Sequence, residues 1–295
     1  MTTMTIDGFS YSTQAGEGGV EINVGIAGTG PPVVLLHGFP QTHYMWRRVA
    51  RVLADDFTVI VVDLRGYGGS GKPTVAGPQT YSKRTMARDI AKVAAALGHH
   101  RFGVVGHDRG ALVAVRAGLD QPEVVQYVGI LDVLPTLDTW DVLHGVNAKV
   151  AWHLYLMAQP VGLPEKMIKA VAAEFFASFL DAWDTDGSTF APAVRAHYID
   201  SSVAAVDSIV ADYRATAGID LDMDRADRDA GRQLPMPVGV ISQDWGTQLG
   251  FDPAAIWAAW APDFSYEPID AGHFMAEEKP AEIARFIRGL AARCR

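Results

Sequence analysis

The sequence predicts an α/β protein: a mostly parallel, doubly wound sheet with an inserted helical cap. Three observations predict it. Short β-branched runs alternate with helical patterns along most of the chain. The alternation lapses between about Thr136 and Arg232, and one strand runs straight into a helix through a Gly-x-Asp-x-Gly turn. Alternation of this kind needs crossover connections, hence parallel pairing, and it gathers ligands outside the carboxyl ends of the strands.

The strand candidates are "VEINVGI", "PPVVLLH", "FTVIVVD", "RFGVVGH", "YVGILD", "MPVGVIS" and "FSYEPID". Each is short, apolar or alternating, and closed by Gly, His or Asp, as mostly buried strands are. In "SKRTMARDIAKVAAALG", Met86, Ile90, Val93, Ala94 and Leu97 share one helical face and Gly98 stops the helix. In "AEIARFIRGLAARCR", Ile283, Phe286, Ile287 and Leu290 do the same. From Thr136 to Arg232 the patterns are helical and rich in aromatic residues and Met, as in "KVAWHLYLMAQP" and "EKMIKAVAAEFFASFLDAW". The expected organisation is a core in two parts, 1–135 and 233–295, with a cap of 136–232 over the carboxyl edge of the sheet. The charge-dense "DLDMDRADRDAGR" reads as a solvated loop or short helix. The first dozen residues read as loosely held, without the basic and apolar regions of a signal peptide.

A 295-residue chain that is 49% hydrophobic can bury a sizeable core. Its net charge of -9 offers nothing to a phosphate backbone or an anionic bilayer, so neither nucleic acid nor membrane is an expected partner. No apolar run approaches the roughly 18 residues of a membrane span. The one cysteine, Cys294, allows no internal disulfide, which fits a cytoplasmic protein. No metal cluster, phosphate loop or cofactor motif is present, so a small-molecule substrate is expected without a cofactor.

Candidate chemistry sits just after predicted strands. Asp108, in "GHDRG", occupies the apex where hydrolases with a nucleophile elbow carry serine. Gly106 and Gly110 supply the small neighbours that such a turn needs. Asp is also an ordinary helix N-cap, but the flanking strand and helix, the "HGFP" stretch at His37–Pro40 and a late histidine favour a nucleophile. His273, in "DAGHF", stands where a base would follow in chain order. Two acids could orient it. Asp132 ends the strand after the nucleophile, and Asp244, in "ISQDWG", ends a later one at a poor offset within its loop. Asp132 is preferred, and geometry must decide.

With these motifs together, the chain resembles the haloacetate (fluoroacetate) dehalogenases of the α/β-hydrolase superfamily. The likeness runs from "GTGPPVVLLHGFPQTHYMW" through "VVDLRGYGGS", "GHDRGA", "LDVLPT", "LMAQP" and "DYRA" to "AGHF". It implies an α/β-hydrolase fold, a nucleophile at Asp108, a base at His273 and its orienting acid at Asp132. It also implies oxyanion donors at the Phe39 and Arg109 amides, a substrate-carboxylate grip at the Arg109 side chain, halide ligands at His153 and Tyr213, and a homodimer. Two positions depart from the family. Leu154 stands where its third halide ligand, a tryptophan, belongs, and Leu112 stands where its second carboxylate-binding arginine belongs. Trp152 and Tyr155 lie nearby, but one residue along a helix turns a side chain by about 100°.

The chemistry suits an aspartate. A carboxylate is already ionised and attacks a saturated carbon to form an alkyl ester, which a His-activated water then hydrolyses. The expected reaction is halide displacement from a small 2-haloacid, weak on fluoroacetate because Leu112 and Leu154 thin the pocket's donors. Epoxide hydrolases share "HGFP" and the aspartate, so epoxide opening stays open as the alternative. A non-catalytic ligand-binding role on the same fold is a third reading.

Overall fold

The computed structural model describes residues 4–185 and 187–294. Eight strands form one sheet: β1 (Ser10–Ala15), β2 (Glu21–Ala27), β3 (Pro32–Leu36), β4 (Thr58–Val62), β5 (Phe102–His107), β6 (Val125–Leu131), β7 (Val238–Ser242) and β8 (Phe264–Pro268). Their order is β1-β2-β4-β3-β5-β6-β7-β8. Pairings β1–β2 and β2–β4 are antiparallel, and every later pairing is parallel. The middle strands are buried almost throughout, which is why they read as continuous apolar runs rather than as alternating ones.

All seven expected strands form. From Ser10 onward the eighth, β1, corrects the expectation of a loosely held first dozen residues, while residues 1–3 lie outside the described residues. "SYSTQA" carries little apolar signal because it is an exposed edge strand, and its backbone pairs with β2 over six residues. Tyr11 on that strand anchors it through hydrogen bonds to the Ile6 amide and to His43.

Helix Lys83–Ala96 starts at Ser82, whose hydroxyl accepts the Thr85 amide, and gives way at Gly98, with φ 85°. Its expected face is buried except at Leu97, which packs against the core from its margin. Between β6 and β7 the described residues form helices only, from Thr136–Val142 to Leu221–Asp229. The last of these corrects the expectation for "DLDMDRADRDAGR". It is helical, but its inner carboxylates are not solvated: Asp224 and Asp227 are buried and each accepts one Arg116 guanidinium nitrogen at 2.5 Å. Pairing with that arginine makes burial of two carboxylates tolerable. Among the described residues, no helix is long and apolar enough to cross a membrane.

Candidate active site

The site grows from the carboxyl ends of five neighbouring strands: Phe39 follows β3, Asp108 β5, Asp132 β6, Gln243 β7 and His273 β8. Asp108 and Asp132 are the only non-glycine described residues with positive φ, at 48° and 53°. Such conformations cost roughly 1–3 kcal/mol each and persist only where their surroundings hold them. The surroundings at Asp108 are tight. A Cβ on Gly106 would lie 2.3 Å from the Gly110 backbone, and one on Gly38 would lie 2.6 Å from the Asp108 Cβ. Glycine at these positions lets the turn close against β3 and the following helix, Arg109–Asp120.

The Phe39 amide donates to Asp108 Oδ1 at 2.7 Å. Among the described residues Asp108 Oδ2 has no hydrogen bond, and the residue lines a cavity of about 260 Å³. The Arg109 amide, the other expected donor, makes no bond to Asp108 among the described residues; it opens the helix beside it.

His273 Nδ1 lies 2.7 Å from Asp132 Oδ2. Asp244, the other candidate, is exposed and caps a short helix by accepting the Thr247 amide. The same loop still serves the site. Asp132 also accepts the Gln243 amide at 3.1 Å, the Gln243 side chain at 2.9 Å and the Trp245 indole N–H at 2.7 Å. Burial pushes the Asp132 carboxyl up, but its bonds to His273 and Gln243 outweigh that and hold it below the usual carboxylate range. Burial pulls the His273 imidazole down, and the hydrogen bond and charge of Asp132, with the charge of Asp108, more than restore it to a raised value. His273 Nε2 is buried without a partner. With Nδ1 occupied by Asp132, Nε2 is the nitrogen left for a water. Trp183 packs on the ring at 4.8 Å, and the buried His107 donates through Nε2 to the His273 carbonyl at 2.7 Å. Burial pushes His107 down to about 4, so it is neutral at pH 7.

His153 and Tyr213 line the same cavity, their rings 5.5 Å apart and both against Phe39. His153 Nδ1 and the Tyr213 hydroxyl are buried without partners. Burial lowers His153 to about 3, so its imidazole is neutral. Burial and the Asp108 charge raise the Tyr213 phenol well above its ordinary value, so it keeps its proton. A neutral imidazole and a phenol, both unpartnered on residues that line one cavity, suit a small anion or a departing oxygen. Leu112 and Leu154 line the cavity as well. Neither neighbour fills the place of the missing tryptophan: Trp152 is 45% exposed and stacks on Phe179, and the Tyr155 hydroxyl donates to the Leu143 carbonyl.

Arg109 departs from expectation. Its guanidinium is not free to grip a ligand with a full fork. Nε and Nη2 each reach Asp212 at 2.9 Å, Nη2 also bonds Thr216, and the group lies 4.0 Å over the Tyr213 ring. A guanidinium only 3% exposed needs such a carboxylate partner. Nη1 alone has no hydrogen bond among the described residues. Sequence reasoning missed this pairing, and it missed Gln243, Trp245, Trp183 and His107. The quoted motifs "ISQDWG", "GHDRG" and "DYR" contain five of the six residues concerned, but nothing in the motifs shows which way they point.

The family model described as the alpha/beta hydrolase fold matches residues 31–280. A fluoroacetate dehalogenase of a Burkholderia species is 38% identical over 276 residues, 92% of this chain and 90% of that protein. A soluble epoxide hydrolase of a Corynebacterium species is 44% identical over 124 residues, 42% of each chain. A solved structure from Pseudomonas aeruginosa, provisionally described as an epoxide hydrolase, superposes with a TM-score of 0.93 at 38% identity, covering 99% of this chain and 98% of that one. Matched across most of its length by both the fold model and the dehalogenase, this chain belongs to the haloacetate dehalogenase family of the α/β hydrolases.

Proposed function

We propose that this hydrolase displaces halide from the saturated carbon of a small 2-haloacid, with Asp108 as nucleophile. The observation that carries the reading is the division of labour at Asp108: Oδ1 is held by the Phe39 amide, Oδ2 has no hydrogen bond among the described residues, and Asp108 lines one cavity with His273, whose Nε2 is without a partner. In the first step Oδ2 attacks the carbon, the carbon–halogen bond breaks, and its electron pair leaves on the halide. His153 and Tyr213 receive that anion. In the second step His273 Nε2 takes a proton from water, and the hydroxide adds to the Asp108 side-chain carbonyl carbon. The resulting oxyanion sits on Oδ1, where the Phe39 N–H stabilises it. Collapse breaks the bond from that carbon to Oδ2, which leaves as the product alkoxide and takes the proton back from His273. Asp132 keeps His273 in the tautomer and orientation for this work. The helices of 136–232 act as the cap that encloses the reaction, and the substrate is a small molecule taken up without a metal or cofactor.

The second reading, epoxide hydrolysis, uses the same two steps, with the unpartnered Tyr213 O–H as the acid for the opening oxygen. His153 favours the halide, because a neutral imidazole of low basicity serves a small anion better than it serves as an acid.

One experiment tests the choice. Measured kcat/KM should rise from fluoro- through chloro- to bromoacetate, with styrene oxide slower than bromoacetate. Leu112→Arg should raise haloacetate kcat/KM roughly tenfold, since one charge-assisted pair contributes on the order of 1.5–3 kcal/mol and part of that offsets desolvation. Fluoroacetate turning over as fast as bromoacetate contradicts the role given to the lost residues, and turnover of epoxides alone selects the second reading.

A further inference from the structure

Behind the cavity wall lies a buried group of charges that neither step uses. Lys83, from the helix Lys83–Ala96, bonds Asp212 Oδ1 through Nζ, and Arg109 holds the same carboxylate from the cavity side. Tyr67 donates to Asp212 Oδ2 at 2.7 Å. The Lys83 and Asp212 side chains are 2% and 0% exposed. Asp220 completes the group. Its Oδ1 accepts the Lys83 amide at 2.9 Å, and its Oδ2 is buried without a partner.

Two cations therefore share Asp212, and a second carboxylate stands beside them. Arg109 paired with Asp212 alone would be a neutral dipole and would offer little to an incoming anion. Lys83, bonded to the same Asp212 oxygen as Arg109 Nη2, cancels much of that carboxylate's field, and Asp220 opposes Lys83. Inside a protein such charges are poorly screened, so their sum is felt across the wall. Lys83 and Asp220 do not line the cavity itself. They lie in a separate small void that shares Leu112 and Thr136 with it as a common wall. Arg109 is the member of the group that lines the cavity.

We propose that Lys83 gives Arg109 its positive character toward the cavity and that Asp220 works against it, so that this pair sets how strongly the site prefers a carboxylate over a neutral ligand. The proposal rests on the reading of the cavity as a carboxylate site, and its test requires no turnover. Dissociation constants of butyrate and its uncharged isostere butyramide would be measured by calorimetry on the full chain, on Lys83→Met and on Asp220→Asn. Lys83→Met is expected to weaken butyrate about three- to tenfold, and Asp220→Asn to tighten it by about threefold, the scale of one partly shielded buried charge. Butyramide should be unchanged in both. Equal shifts of the two ligands would overturn the proposal, because a merely structural role disturbs both. So would unchanged butyrate affinity, or no butyrate binding by the wild-type chain. If Lys83→Met fails to fold, Asp220→Asn decides alone. A chain that binds butyrate as expected but dehalogenates nothing would retain this inference and lose the proposed function.

Discussion

Replacing His273 with alanine is expected to stop the enzyme after its first step, leaving the substrate's carboxymethyl group on Asp108. The attack by Oδ2 needs no base, since the carboxylate is already the nucleophile. Hydrolysis of the ester does need one, and that role is proposed for His273, a residue lining the cavity whose Nε2 is without a partner. Turnover of bromoacetate should fall by about 10³-fold, at the middle of the range for loss of a general base. A mass increase should appear and map to the peptide containing Asp108. Mapping is essential, because Cys294 is exposed and bromoacetate alkylates thiols. Asp108→Asn run beside it should carry no adduct in that peptide. Full turnover by His273→Ala contradicts the assignment of the base.

Asp132→Asn should lower kcat by roughly 10²–10⁴-fold and also move the acid limb of the kcat–pH profile to lower pH. The sign follows from what acts on His273. The base works only when neutral, so activity rises with pH through its pKa. Burial would set that pKa low, and Asp132 together with Asp108 brings it above the ordinary value. Removing the Asp132 charge leaves burial more nearly unopposed, so the imidazole loses its proton at lower pH. The rate still falls, because an asparagine at 132 no longer fixes the Nδ1–H tautomer and faces the donors of Gln243 and Trp245 with one oxygen fewer. A limb that stays in place would mean that Asp132 does not set the basicity of His273. The profile is best read on kcat, since KM mixes in substrate binding.

The strands of the core were legible because burial on both faces leaves unbroken apolar runs, and β1 was not because an exposed edge strand needs no such run. The turn at Asp108 was legible for a steric reason: only glycine fits at 106 and 110, and that demand is written locally in "GHDRG". The meeting of Asp132 with His273 was readable only as a preference, since the two are 141 residues apart and Asp244 offered the same chemistry. The motif around Asp244 then served Asp132 through its neighbours Gln243 and Trp245. The pairing of Arg109 with Asp212 was not readable at all. It joins residues 103 apart, and nothing in "GHDRG" or "DYRA" distinguishes a guanidinium turned to a ligand from one turned to an internal carboxylate. The charge-rich segment 221–229 is helical, as one of its two readings had it, but the burial of Asp224 and Asp227 was not readable, because the arginine that pairs with them lies on another element.

The central claim is that Asp108 bonds covalently to the substrate carbon and surrenders its own oxygen to the product. A single turnover in H₂¹⁸O, with enzyme in excess over bromoacetate, tests it most directly. The account predicts that the hydroxyl oxygen of the glycolate formed is unlabelled, since it was Asp108 Oδ2, and that ¹⁸O appears in the Asp108 peptide. Glycolate carrying the label after one turnover, with an unlabelled Asp108, would mean that water attacks the substrate directly and would contradict the account.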